Sequence, residues 1–98
     1  MNRGEILRQA ERLLYLDRQE EYGTPYENHR RISLLWSAYL GVEITPMQVA
    51  ICMALLKIAR IQEKAEYAKD DNFIDLAAYA SIAGELAEIR KKQDRPPL

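Results

Sequence analysis

The chain has few of the residues and patterns on which many protein classes depend. It holds one cysteine, so no disulfide can form within it, and the apolar run around Cys52 predicts a small buried side chain, as in a protein of a reducing cytosol. No uncharged stretch reaches about 18 residues, and Met1–Glu5 lacks the apolar core of a signal peptide. We therefore expect a cytoplasmic protein with no membrane partner.

An excess of charge of one sign is also missing. The chain has 14 basic and 15 acidic residues, and the net charge of −1 gives no general attraction to nucleic acid. We find no β-alternation, no glycine-rich phosphate loop, no Ser/His/Asp set and no Cys/His metal spacing. The single histidine, His29, is expected to be an exposed or hydrogen-bonded side chain, and the alternative is a catalytic one.

Two copies of one helix-start signal divide the chain. In Thr24–Glu27 and Thr45–Gln48, threonine can cap a helix, proline suits its first position, and Glu or Gln three residues later can return a hydrogen bond. Gly23 and Gly41 stand where left-handed glycines end the preceding helices. These signals place four helices at about 4–22, 25–40, 46–68 and 72–92.

This pattern predicts an all-α fold, a four-helix antiparallel bundle in a single domain over residues 1–92, with 93–98 as a flexible tail. The second helix should turn four large side chains to the interior: Ile32, Leu35, Trp36 and Tyr39. Asp71 or Asn72 should cap the fourth helix. A chain of 98 residues buries a modest core, so we expect a homo-oligomer. Gly84 indicates close packing within the fold or across a dimer.

Three charged groups are candidates for a site. Asp17, Glu20 and Glu21 can hold a hard cation such as Mg²⁺, or can simply be a solvated acidic helix end. Lys57 and Arg60 rise from an apolar helix, so they either pair with carboxylates or meet an anionic ligand.

The third group is Asp71, Asp75 and Tyr79, which are spaced by four and so share one face of the fourth helix. If the third and fourth helices form an antiparallel hairpin about residue 70, Arg60 can reach Asp75 or Tyr79. The result is either an interhelical ion pair or a ligand site.

These motifs together resemble a known pattern. Glu21–Gly23, Trp36, Lys57-x-x-Arg60 and Asp71-x-x-x-Asp75-x-x-x-Tyr79 look like the pattern of a small helical family of uncharacterised proteins from phages and prophages, over about residues 15–85. That family is more distantly similar to the MazG-like all-α nucleoside triphosphate pyrophosphohydrolases, which are oligomeric bundles that hold Mg²⁺ at the nucleotide phosphates with acidic side chains. The resemblance implies a nucleotide-related role in a bacterial host cell.

The acidic motif of the MazG-like enzymes has a superficial counterpart here. Those enzymes carry E-x-x-E and E-x-x-D on successive helices, and this chain offers Glu63-x-x-Glu66 and Glu85-x-x-Glu88. With the turn near residue 70, the two pairs are expected to lie on the order of 15 Å apart along the hairpin, too far to share a metal within one protomer. A metal site from Asp17, Glu20 or Glu21 with Asp71 and Asp75 departs from the enzyme pattern.

Three functions therefore remain open. The first is a phage-type protein that binds a nucleotide or nucleotide-derived ligand and sequesters a signalling nucleotide in counter-defence. Its ligand-binding residues are Tyr22, Lys57, Arg60, Asp75 and Tyr79. The second is a Mg²⁺-dependent pyrophosphohydrolase, with metal ligands Asp17, Glu20, Glu21 and Asp71. The third is a non-catalytic structural or partner-binding module.

Overall fold

The computed structural model describes residues 1–17, 23–64 and 68–93. Within these residues the α-helices are α1 (Arg3–Arg12), α2 (Pro25–Leu40), α3 (Pro46–Glu63) and α4 (Asp70–Gln93), and α1 continues as a π-helical turn over Leu13–Asp17. The described residues contain no strand, so the all-α prediction is confirmed. None of the described helices is long and apolar enough to cross a bilayer.

The predicted starts of α2 and α3 are confirmed by their caps. Thr45 and Gln48 form a complete capping box, with the Thr45 hydroxyl accepting from the Gln48 N–H at 3.2 Å and the Thr45 N–H donating to the Gln48 side chain at 2.9 Å. At α2 the Thr24 hydroxyl accepts from the Glu27 N–H. Gly41 ends α2 in the left-handed region at φ 72°, which glycine adopts without a Cβ clash.

Two other predicted boundaries are wrong. α3 stops at Glu63 instead of about residue 68, because Lys64 leaves the helical region at φ −138° and ψ 60°. α4 begins at Asp70, so Asp71 and Asn72 lie inside its first turn and do not cap it. The α3–α4 turn therefore comes before residue 70, and this displacement changes which side chains face each other.

The first predicted helix, over 4–22, is only partly α-helical. Regular α-helix ends at Arg12, where the π-helical turn takes over. Residues 18–22 lie outside the described part of the chain.

Helix α4 is the centre of the packing, because it contacts both α1 and α3, and α3 also contacts α2. Small residues of α3, Ala50 and Ala54, pack against α4 in the larger core cluster, whose α4 members are Tyr79, Ile82, Ala83 and Leu86. Ala10 of α1 packs with Ile74 and Ala78. Lys57, near the end of α3, contacts Asp75, near the start of α4, so the two helices pack antiparallel.

The rotation of α2 differs from the prediction. Its buried side chains are His29 and Ser33, whereas Leu35 and Tyr39 are 65% and 89% exposed. Leu35 and Tyr39 lie away from this face, so their predicted burial is wrong for the single chain.

Two further packing predictions fail within the chain. Cys52 is exposed, because α3 turns Ala50 and Ala54 toward α4 and Cys52 away from it. A Cβ added at Gly84 would meet nothing within 4 Å among the described residues, so close packing inside the fold does not explain this glycine. Packing of Gly84 across a dimer stays a prediction.

Candidate functional site

A cleft of about 460 Å³ lies where α3 ends and α4 begins. We call it the charged cleft, and its lining residues are Lys57, Arg60, Glu63, Lys64, Ala68, Lys69, Asp71, Asn72 and Asp75. It brings together four of the side chains that the sequence singled out as candidates: Lys57, Arg60, Asp71 and Asp75. The residue types in the lining make it a polar, charged site of mixed sign.

An ion pair between the two helices forms one wall of the charged cleft. Lys57 follows Ala50 and Ala54 on the face of α3 that packs on α4, so its side chain is only 11% exposed. Its Nζ lies 2.8 Å from Oδ2 of Asp75, whose side chain is 20% exposed. A desolvated ammonium needs a partner of this kind. The interhelical ion pair expected for Asp75 is present, with Lys57 in place of Arg60.

Lys57 replaces Arg60 as the partner of Asp75 because α3 ends at Glu63, before the predicted end near residue 68. With the turn before residue 70, Asp75 stands level with Lys57 and not with the residues near 61–65, so the expected pairing of Arg60 with Asp75 or Tyr79 is wrong. Arg60 is exposed at the charged cleft, and among the described residues it has no hydrogen-bond or ion-pair partner. Its guanidinium is therefore open to an anion from solution.

Lys64 and Lys69 also line the charged cleft, and the predicted site omitted them. Lys64 follows Lys57 and Arg60 at helical spacing, and this spacing could have been used to predict that Lys64 belongs to the site. Lys69 belongs to the charged turn, and only the tertiary fold brings it beside Arg60. Four cations and three carboxylates thus share this cleft.

Tyr79 is not part of the charged cleft. It is 5% exposed, belongs to the core, and meets the His29 ring edge-on, with centroids 6.3 Å apart and planes at 65°. His29 is itself 3% exposed, and its Nδ1 lies 2.8 Å from the Pro25 carbonyl oxygen. The prediction of a hydrogen-bonded histidine is confirmed, and the alternative of an exposed one is wrong because α2 turns this position inward.

The acidic group near the end of the first helix, Tyr22 and one residue of the Glu63-x-x-Glu66 motif fall at or beyond the limits of the described residues. Glu20, Glu21, Tyr22 and Glu66 lie outside the described residues, and of Asp17 only the backbone is described. Among the side chains in the described ranges, no three His, Cys, Asp or Glu residues form a group that could hold a metal ion.

A second cavity, of about 610 Å³, lies between the end of α2, the start of α3 and the end of α4. Much of its lining is apolar, with Leu34, Met47 and Leu86 among its residues. Tyr26 in this cavity accepts a hydrogen bond from the Gln93 side chain at 3.2 Å. Arg30, Glu43 and Arg90 line it as well, and Arg90 lies 3.7 Å from Glu43, so the cavity combines apolar surface with charged side chains.

Comparison with known proteins places the chain in a family. Residues 5–87 match the family model described as "Domain of unknown function (DUF6378)". The chain is 46% identical over 78 residues to the Gene 55 protein of Mycobacterium phage L5, covering 79% of this chain and 49% of that protein. It is 41% identical over 83 residues to the Gene 55 protein of Mycobacterium phage D29, covering 85% of this chain and 54% of that protein.

The chain thus spans about half the length of these two relatives. No solved structure matches it. The predicted resemblance to a phage protein family is confirmed, and the more distant likeness to MazG-like enzymes stays a prediction. Because the family model covers residues 5–87, the chain belongs to the DUF6378 family.

Proposed function

We propose that the charged cleft binds the phosphate groups of a nucleotide or nucleotide-derived ligand. The observation that carries this proposal is the exposed guanidinium of Arg60, which lines the cleft with Lys64 and Lys69 and has no partner among the described residues. A guanidinium presents a planar fork of donors that matches phosphate oxygens, and its hydrogen bonds to them are charge-assisted.

The balance of charge in the cleft supports an anionic ligand. Lys57 and Asp75 neutralise each other at 2.8 Å, so they leave Arg60, Lys64 and Lys69 against two carboxylates. The first turn of α4 also contributes to this cleft, and the partial positive charge at a helix N-terminus favours phosphate. The volume of about 460 Å³ falls within the range of small-molecule sites, roughly 300–1,000 Å³.

Binding without cleavage is the mode that these contacts favour. Asp75 already accepts the Lys57 ammonium, so a metal ion at this carboxylate would have to compete with an existing ion pair. In counter-defence, a phage-encoded protein could bind a signalling nucleotide and keep it from its receptor. Such a protein has to bind the nucleotide but does not have to cleave it. The phage relatives are consistent with that role.

A Mg²⁺-dependent pyrophosphohydrolase is the second candidate, and a specific feature favours it. Asp71 and Asp75 both line the cleft and are one helical turn apart, so two carboxylates lie beside the proposed phosphate site. In that enzyme Asp71 and Asp75 would be among the residues that hold Mg²⁺, which would supply positive charge at the phosphates, and Arg60 would offset the charge of the transition state. Asp17, Glu20 or Glu21 would have to complete the metal site.

Titration with a nucleotide panel separates these candidates. The full chain is titrated by calorimetry and by thermal shift, with and without Mg²⁺, beside Arg60→Ala and the matched control Arg31→Ala, an exposed arginine of α2 outside the cleft. Hydrogen bonds to charged groups contribute about 1.5–3 kcal/mol, so Arg60→Ala should weaken binding by about 10- to 100-fold. Arg31→Ala should bind as the wild type does.

Pyrophosphate release is measured in the same samples. Stabilisation by a nucleotide without release supports binding alone, and release that requires Mg²⁺ supports the enzyme. If no member of the panel binds or is cleaved, both nucleotide functions fail, and the Lys57–Asp75 pair remains as a structural link in a helical module.

A further inference from the structure

Helix α3 exposes a continuous row of uncharged side chains beside the face that packs on α4. We call this row the α3 stripe, and its members are Gln48, Ile51, Leu55, Ile58 and Gln62. The three apolar members are 45%, 56% and 38% exposed. α3 packs on α4 through Ala50, Ala54 and Lys57. The stripe lies to one side of that face, where the described residues leave its side chains accessible to solvent.

The spacing of the α3 stripe is that of a helix-packing seam. Its members follow one another at intervals of three, four, three and four residues, the repeat with which helices pair side by side. The neighbouring row, Cys52, Leu56 and Ala59, is also exposed and uncharged. The stripe carries no charge although 30% of the chain is charged.

We propose that the α3 stripe is the interface through which two copies of this chain form a symmetric dimer. The stripe reads Gln, Ile, Leu, Ile, Gln, which is the same chemistry in both directions. A two-fold axis near Leu55 therefore sets apolar against apolar side chains and amide against amide, as a self-complementary interface requires. No like charges meet in this arrangement.

The exposed apolar area fits a dimer of modest size. Leu56 of α3, in the row beside the stripe, is 43% exposed. With the apolar members of the stripe it exposes the equivalent of about two whole side chains, or roughly 350 Å². A standard interface takes roughly 800 Å² from each partner, and the glutamines at both ends supply polar rim.

The core of the single chain is small, so burial of further apolar side chains in a dimer would stabilise the protein. Among the residues that the structure describes, Val49 is the largest fully buried side chain, and alanines supply five of the ten buried apolar residues. Burial of Ile51, Leu55 and Ile58 between two copies would add the large aliphatic side chains that this core lacks.

Introducing charges of opposite sign at Leu55 in two separate variants tests the proposal directly. Sedimentation equilibrium should find the full wild-type chain at twice its monomer mass, and both Leu55→Asp and Leu55→Lys at the monomer mass, because each places like charges near the two-fold axis. An equimolar mixture of the two variants should return to the dimer mass. Leu7→Asp, at a 63% exposed position of α1, is the matched control and should remain a dimer.

Three results would overturn the proposal: a wild-type monomer at tens of micromolar protein, a dimer that survives Leu55→Asp, or a mixture that stays monomeric while both variants keep their helical circular dichroism. The proposal is independent of nucleotide binding, since the stripe and the charged cleft share no residue.

Discussion

The Nζ atom of Lys57 lies 2.8 Å from Oδ2 of Asp75 and joins α3 to α4 beside the turn that connects them. The contact does two things at once. It gives a cation on the packed face of α3 its partner, and it leaves Arg60, Lys64 and Lys69 of the charged cleft against two carboxylates. The stability of the hairpin and the chemistry of the cleft therefore depend on the same pair.

Replacing Lys57 by methionine should destabilise the protein by about 1–3 kcal/mol, because Asp75 would lose its partner in a site that is mostly closed to water. Urea denaturation followed by circular dichroism measures this change. The double variant with Lys57→Met and Asp75→Leu removes both charges and should recover most of the loss. A cost below about 0.5 kcal/mol for the single variant would mean that the pair does not contribute to stability.

Alanine should change the stability of the protein in opposite directions at two glycines that have open space around them. A Cβ at Gly41 or Gly84 meets no atom within 4 Å among the described residues, but Gly41 has a φ of 72° and Gly84 is inside α4. Gly41→Ala should cost about 1–2 kcal/mol through the left-handed backbone, and Gly84→Ala should gain about 0.5–1 kcal/mol through helix propensity. Urea midpoints measure both. A loss at Gly84 would reveal a contact that covers this face of α4.

Ser37 holds the loop between α2 and α3. Its hydroxyl accepts from the Ile44 N–H at 2.8 Å and lies 2.6 Å from the Ser33 carbonyl oxygen, to which it donates. Ser37→Ala should cost about 1–2 kcal/mol, because the half-buried Ile44 N–H loses its acceptor.

Hydrogen exchange at the Ile44 amide is the specific readout for Ser37→Ala, and it should become faster. Ser81→Ala is the control, since Ser81 donates only to carbonyls of its own helix and is exposed. Equal effects of the two substitutions would contradict the role given to Ser37.

The features that could be predicted from sequence are those that local chemistry determines. Thr45 and Gln48 form the expected capping box, and Gly41 takes the expected left-handed conformation, because these interactions involve residues within one or two turns. The two Thr-Pro signals therefore locate the starts of α2 and α3 correctly.

The features that could not be predicted depend on how each helix is rotated against its neighbours. The end of α3 at Glu63 places Lys57, and not Arg60, level with Asp75, and no local motif marks that end. In the same way Tyr39 belongs to a good apolar pattern but is 89% exposed, because α2 buries His29 and Ser33 instead. Hydrophobic spacing identifies a face, but it does not distinguish a face that meets the core from one that meets another molecule.

Amide chemical-shift mapping tests the central claim, that the charged cleft binds phosphate. Tripolyphosphate and ATP are each titrated into the ¹⁵N-labelled full chain, with Arg60→Ala as the comparison. We predict shifts concentrated at residues 57–64 and 68–75 that saturate with ligand and are lost or strongly weakened in Arg60→Ala. Shifts confined to the apolar cavity around Tyr26 and Met47, or no shifts at millimolar ligand, would contradict the account.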